Sequence, residues 1–305
     1  MNPAYPAFAA LGLIWGTNFI FMKWASAYLS AGQIVFLRVF FGFLPLLACA
    51  LFTGALKWRH LRHIHHFTVM SLLATVLYYY AFAKGAALLA SSVAGMLSGA
   101  IPLVSFLCGL ALTRQQRPTP RIVAGIASGF IGVLLIAQPW GAAGAGVNPL
   151  GVAYMLAGSL SVGSSFVYAR RFLSGLDLSP LALSTWQIGL ALVVVTGITD
   201  FHGIARVAED THALLGLVLG LGLCGTGVAF ILYYFIVGRL GALAASSVTY
   251  VPPVVALFLG AALAGESIRP ADVLAMAAIL GGVYLLQGRG QAKGEMSGDA
   301  RKVAA

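Results

Sequence analysis

Ten apolar stretches, each long enough to cross a bilayer as a helix, follow one another along the chain. They are 4–22, 33–53, 67–83, 91–112, 121–138, 150–169, 180–199, 213–237, 242–264 and 272–288. A spanning helix needs about 20 predominantly apolar residues to match the hydrocarbon thickness. Inside lipid every backbone polar group must be satisfied within the segment, which leaves helices or closed barrels. The joints hold charges or breakers: the basic run Lys57 to His66, Pro118 and Pro120, Gly141 to Pro149, and Arg269-Pro270. None is long enough for a soluble domain. With 60% hydrophobic and only 9% charged residues, the 305-residue chain has too little polar surface for water, where soluble domains carry about a quarter charged residues. Lipid is the solvent.

The net charge of +10 acquires meaning once the bases are placed. With the amino terminus taken as cytoplasmic, the inner joints and carboxyl tail hold 13 lysines and arginines. The outer joints hold four, Lys23, Lys84, Arg206 and Arg269, and Arg38 falls within a span. That asymmetry follows the positive-inside rule, so the bases report topology and no nucleic-acid partner is expected. The first stretch lacks a basic flank and is too long for a signal-peptide core, which predicts a retained helix. Cys49, Cys108 and Cys224 all lie in apolar runs and are expected to be buried thiols.

The chain repeats itself. Tyr78-Tyr79 recurs as Tyr233-Tyr234, and Ala90-Ser91-Ser92-Val93 as Ala245-Ser246-Ser247-Val248, at an offset of 155. Farther along the offset becomes 150, pairing Pro102 with Pro252, Pro120 with Pro270, and Gly132-Val133 with Gly282-Val283. The expected fold is therefore an all-α membrane protein of ten transmembrane helices, built as two five-helix repeats. The odd helix number inverts the second copy, and both termini are cytoplasmic. Residues 1–140 form the first repeat, 149–289 the second, and 290–305 a polar cytoplasmic tail. Inverted repeats around a midplane site characterise secondary transporters.

Few residues can carry chemistry. All histidines and carboxylates fall in joints or at helix ends, Glu266 and Asp272 among them at the outer ends, so no catalytic dyad or triad assembles at membrane depth. No enzyme, cofactor or metal site is expected. The His60, His63, His65, His66 cluster reads as a solvated loop. Arg38 is the one charge inside a span, a place where charge is expensive and by default functional. Its alternatives are snorkelling or helix packing. Pro102, Pro252 and Pro253 fall midway along repeat-equivalent spans and are candidate hinges. Mid-span polar and aromatic residues nominate a cavity for a small amphipathic solute: Trp15, Asn18, Tyr78, Tyr79, Ser98, Ser164, Trp186, Tyr234 and Tyr250, with Thr17, Tyr80, Tyr168, Gln187 and Tyr233 beside them.

Several motifs resemble one known family. Trp15-Gly16-Thr17-Asn18-Phe19 in the first span, Arg38 in the second, and Gly265-Glu266-Ser267-Ile268 followed by Gly281-Gly282-Val283 are similar to the drug/metabolite transporter superfamily, EamA branch. The likeness runs from about residue 5 to 289. Within that branch the chain resembles the YddG-type exporters of aromatic and other neutral amino acids. The resemblance implies a central cavity surrounded by spans one to four and six to nine, with spans five and ten peripheral. It departs where Gln115-Gln116 stands in place of a glutamate.

These readings point to an exporter of small neutral metabolites, foremost neutral amino acids, in a bacterial inner membrane, with no obligatory protein partner. A nucleotide-sugar or phosphorylated-metabolite carrier is the competing transport reading, and a structural or sensory membrane protein the competing class.

Overall fold

Three helices open with a short polar residue followed by proline: Thr119-Pro120, Asn148-Pro149 and Ser179-Pro180. The polar side chain caps a free backbone N–H, and proline suits the first helical position because its missing N–H would go unbonded there. The structure is a computed structural model and describes residues 3–113, 119–138, 147–176 and 178–287. Gln115-Gln116, Asp177 and the tail at 290–305 lie outside them. In chain order come α1 (Ala4–Ala25) and α2 (Ala31–Phe52), then α3 (Ile64–Ser71), which runs through a π-turn at Leu72–Val76 into α4 (Leu77–Leu88). There follow α5 (Ser91–Ser98), α6 (Ile101–Thr113), α7 (Pro120–Ala137), α8 (Pro149–Phe172) and α9 (Pro180–Ile198). A short α10 (Thr211–Leu215) leads into a π-helix at Gly216–Val228 and on into α11 (Ala229–Ser246). The described chain closes with α12 (Val251–Ala264) and α13 (Pro270–Gln287). No strand occurs among the described residues. Among the described residues nine helical runs are long and apolar enough to cross a membrane, and Pro270–Leu286 is a shorter apolar helix.

Glycine governs how closely the helices approach. A Cβ on Gly132 would stand 2.7 Å from the Ala275 carbonyl, and one on Gly282 would stand 2.6 Å from that of Gly125, so α7 and α13 meet backbone to backbone. Gly12 and Gly16 admit Val251 and Val255 of α12 against α1, and Gly95 admits Ala256 against α5. Small residues at such spacings are the usual means of helix association in lipid. The α7–α13 pair stands to one side, while α1, α2, α4, α5, α8, α9, α11, α12 and the π-helix interlock.

The structure corrects five sequence expectations. The span at 91–112 is two helices, broken at Gly99-Ala100, so Pro102 opens α6 in its first turn. Pro252 and Pro253 likewise open α12, after a 3₁₀ turn at Ser247–Tyr250. These prolines separate helices and do not kink continuous ones: a residue without an N–H is best accommodated in a first turn. The boundary before the ninth span lies at Ser246, not at 242. The histidine cluster is no loop: it rides a 3₁₀ helix at Trp58–His63 into α3, with His65 exposed as expected but His60 buried and His66 Nδ1 2.7 Å from the Tyr168 hydroxyl. Phe67, fully buried one turn on, draws the run onto the bundle. Cys224 is exposed, lining an open cleft between α1 and the π-helix. Asp272 is not superficial but buried at the start of α13, held by the Arg269 guanidinium at 2.8 and 3.1 Å.

Candidate functional site

The interior polar groups gather where α2 meets the π-helix. Thirteen residues from Gly216 to Val228 contain five glycines, whose low helical preference lets the backbone take the wider i→i+5 winding. π-Segments of this kind recur at functional sites. Gly42 faces Thr226, Phe41 faces Gly222, and Pro45, within α2, packs on Gly227. The two backbones are thereby close enough for Arg38 to reach across. Its Nε donates to Thr226 Oγ1 at 3.1 Å, and that hydroxyl donates to the Leu221 carbonyl at 3.0 Å. The guanidinium carbon lies 3.7 Å from the centre of the Tyr79 ring. Arg38 is eighth in α2, about 10 Å from its start at 1.5 Å per residue, and only 5% exposed.

From Tyr79 the group extends by rings and hydroxyls. Tyr78 packs against Tyr79 at 5.1 Å and edge-on against Phe82 at 4.5 Å. A second set of rings stands on α11, where the Tyr234 hydroxyl is hydrogen-bonded to Ser184 of α9. Tyr234 stands edge-on to Tyr233 at 5.7 Å, and Tyr233 meets Trp15 of α1 at 6.0 Å. Asn18, three residues from Trp15 and so beside it on α1, packs its Oδ1 against Gly225, beside Thr226, and joins the two sets. Six of the nominated residues, Trp15, Asn18, Arg38, Tyr78, Tyr79 and Tyr234, thus belong to one connected group. It is drawn from α1, α2, α4, α9, α11 and the π-helix.

The other nominees sit apart by their contacts. Ser98 donates to the Gly95 carbonyl at 2.6 Å within α5. Ser164 lies 3.6 Å from the Cys108 sulfur, between α8 and α6. Trp186 stacks flat on Phe67 at 6.0 Å, and its neighbour Gln187 donates to Thr75 at 2.9 Å. Tyr80 is exposed on the lipid side, beneath the Lys84 ammonium. Among the described residues four buried polar side-chain atoms have no hydrogen-bond partner: Asn18 Oδ1, Trp186 Nε1, Thr199 Oγ1 and Tyr250 Oη. Three of the four belong to nominated residues, and such atoms are rare enough in folded proteins to require a reason.

Sequence reasoning missed Thr226 and Ser184. The signal for Thr226 was a lone hydroxyl inside the run Gly220 to Gly227, where the backbone can come close to a neighbour. Ser184 carried none beyond its depth in a span. Two open clefts, of about 480 and 410 Å³, flank the Lys23 end of α1, and neither is lined by this group. Among the described residues no cluster of three His, Cys, Asp or Glu could hold a metal.

A multi-pass helical bundle with a polar, aromatic-lined interior and a buried cation has the form of a membrane transporter. The chain belongs to the EamA-like transporter family, whose pattern it matches twice, at residues 2–138 and 149–287. An inner membrane transporter of Escherichia coli K12, YedA, itself uncharacterized, is 24% identical over 290 residues, covering 93% of this chain and 90% of that one. An uncharacterized transporter of Archaeoglobus fulgidus is 22% identical over 272 residues, covering 89% and 94%. An uncharacterized protein of Pseudomonas aeruginosa is 31% identical over 251 residues, covering 78% and 82%. A crystal structure with TM-score 0.58 covers 93% of this chain and 96% of its own at 20% identity, a likeness of fold. The protein is a multi-pass integral membrane transporter.

Proposed function

We propose that the protein exports small neutral metabolites, foremost aromatic and other neutral amino acids, across the bacterial inner membrane by alternating access. The observation that carries this reading is the connected group of Trp15, Asn18, Tyr78, Tyr79, Tyr233 and Tyr234 around Arg38, closed in by helices from both halves of the chain. Ring faces beside hydroxyls and an amide suit a solute with a flat apolar end and a polar end. The twofold match to the family supports a duplicated chain, which this reading takes as two inverted five-helix repeats, ten spans in all, with both termini cytoplasmic. The breaks before Pro102 and before Pro252-Pro253, at repeat-equivalent places, are the points about which the two halves would rock.

Transport by this reading is facilitative. A proton-coupled carrier needs an ionisable group at depth that gains and loses charge as the two faces alternate. No Asp, Glu or His stands mid-span in this sequence, and a guanidinium stays protonated. Proteoliposomes loaded with a neutral amino acid and an internal pH dye test this. Efflux down the solute gradient without stoichiometric proton movement is expected. Coupled proton flux, or loss of pH-driven uptake in Glu266→Gln, overturns it.

A further inference from the structure

Arg38 is a cation without an anion. Among the described residues its one hydrogen bond is from Nε to Thr226, and its one ring contact is with Tyr79. A guanidinium has five N–H donors. The four on its terminal nitrogens, the fork that matches a carboxylate in bidentate fashion, have no partner among the described groups. The acids that do lie near helix ends are engaged elsewhere: Asp272 with Arg269, and Glu266 with Ser91 and Ser92. Thr226 and the Tyr79 face fix the Nε edge and one face of the guanidinium, which leaves the fork as its reactive side. One residue before Thr226, at Gly225, lies the converse defect: Asn18 Oδ1 is an acceptor buried without a donor. A solute that carries a carboxylate beside an ammonium supplies both missing partners. A phosphate monoester does not, since it brings two negative charges to the single cation at this depth and no donor for Asn18.

We propose that Arg38 is the carboxylate anchor of the transport site, with Thr226 as its positioning residue, so that the carried solute is an α-amino acid held by its charged end. The aromatic rings from Tyr79 to Trp15 then face its side chain. This inference rests on the transporter reading above and narrows it to substrates with a single carboxylate.

The test is equilibrium binding to the purified full-length protein, at a pH where every amine used is protonated. The probes are phenylalanine, phenylalaninamide, 3-phenylpropanoate and phenyl phosphate. The wild type should prefer phenylalanine over its amide by roughly ten- to a hundredfold, the worth of hydrogen bonds to a charged partner. Arg38→Gln should reduce that preference to within about twofold, because a neutral side chain no longer distinguishes carboxylate from amide. Thr226→Val keeps the branched shape and removes the hydroxyl, and with it both the bond accepted from Arg38 Nε and the bond donated to the Leu221 carbonyl. It should cut the ratio several-fold, and it serves where Arg38→Gln does not fold. Equal binding of phenylalanine and its amide, or a preference that survives either substitution, overturns the anchor and leaves the amino-acid reading standing. Binding of 3-phenylpropanoate but not phenylalanine, lost in Arg38→Gln, keeps the anchor and overturns the amino-acid reading. Phenyl phosphate bound more tightly than every carboxylate, or no carboxylate bound at all, overturns both.

Discussion

Glu266 joins the two halves of the bundle at one end, and its replacement by glutamine has a calculable effect. The carboxylate stands in the joint between α12 and α13 and reaches the first turn of α5. Oε1 accepts from the Ser91 N–H at 2.6 Å and the Ser91 hydroxyl at 2.9 Å, and Oε2 accepts from the Ser92 N–H at 2.8 Å. It thereby serves orphan donors of a helix start and meets the positive end of the helix dipole. Glutamine offers one acceptor in place of two and turns an NH₂ toward a backbone N–H. Hydrogen bonds to a charged group contribute about 1.5–3 kcal/mol. Because Glu266 is only half buried, solvent screening holds the net loss near about 1–2 kcal/mol, which is about a five- to thirtyfold change in an opening equilibrium. Hydrogen exchange over residues 88–98 should report it as deprotection of that order, with other helices unchanged. Burial pushes the carboxyl pKa up, but the hydrogen bonds from Ser92 and Ser91 outweigh it and hold it below the ordinary 4.5. A depressed folded-state value stabilises above the unfolded one, so the contribution is complete above about pH 4.5 and is lost as pH falls through the folded value. The wild type should therefore lose thermal stability in that acid range relative to Glu266→Gln. Equal protection in the two proteins at neutral pH would refute the reasoning.

Three further outcomes follow from the packing. Gly282→Ala sets a Cβ 2.6 Å from the Gly125 carbonyl and 2.7 Å from the Gly129 nitrogen, and should cost about 1–3 kcal/mol through overpacking, seen as a lower melting temperature in detergent. Pro102→Ala with Pro252→Ala restores the missing N–H groups and favours continuous helices through the breaks; exchange flux should fall several-fold while the solute Kd moves less than about twofold, and unchanged flux would make the prolines purely structural. Single cysteines at 84 and 239 should label from opposite sides of the membrane in cells, and labelling from one side would remove the inverted topology.

Much of this protein is legible in its sequence because the bilayer makes the constraint local. A run of about 20 apolar residues is a helix wherever it lies, so the stretches at 4–22, 121–138 and 180–199 match α1, α7 and α9 to within three residues. Depth is also local, and it marked Arg38, Asn18, Tyr79 and Tyr234 as interior polar groups. What no local pattern holds is the direction each side chain faces. Helices apolar on all sides carry no stripe to set their rotation about the axis, and tertiary packing alone sets it. That rotation took Tyr80 and Cys224 to exposed positions, and Trp186 onto Phe67. It brought Thr226 to Arg38 across 188 residues, and Glu266 to Ser91 across 175. The π-winding from Gly216 to Val228, which delivers Thr226, likewise depends on α2 packed along it through Gly42 and Pro45. Glycines permit that winding, and only the neighbouring helix selects it.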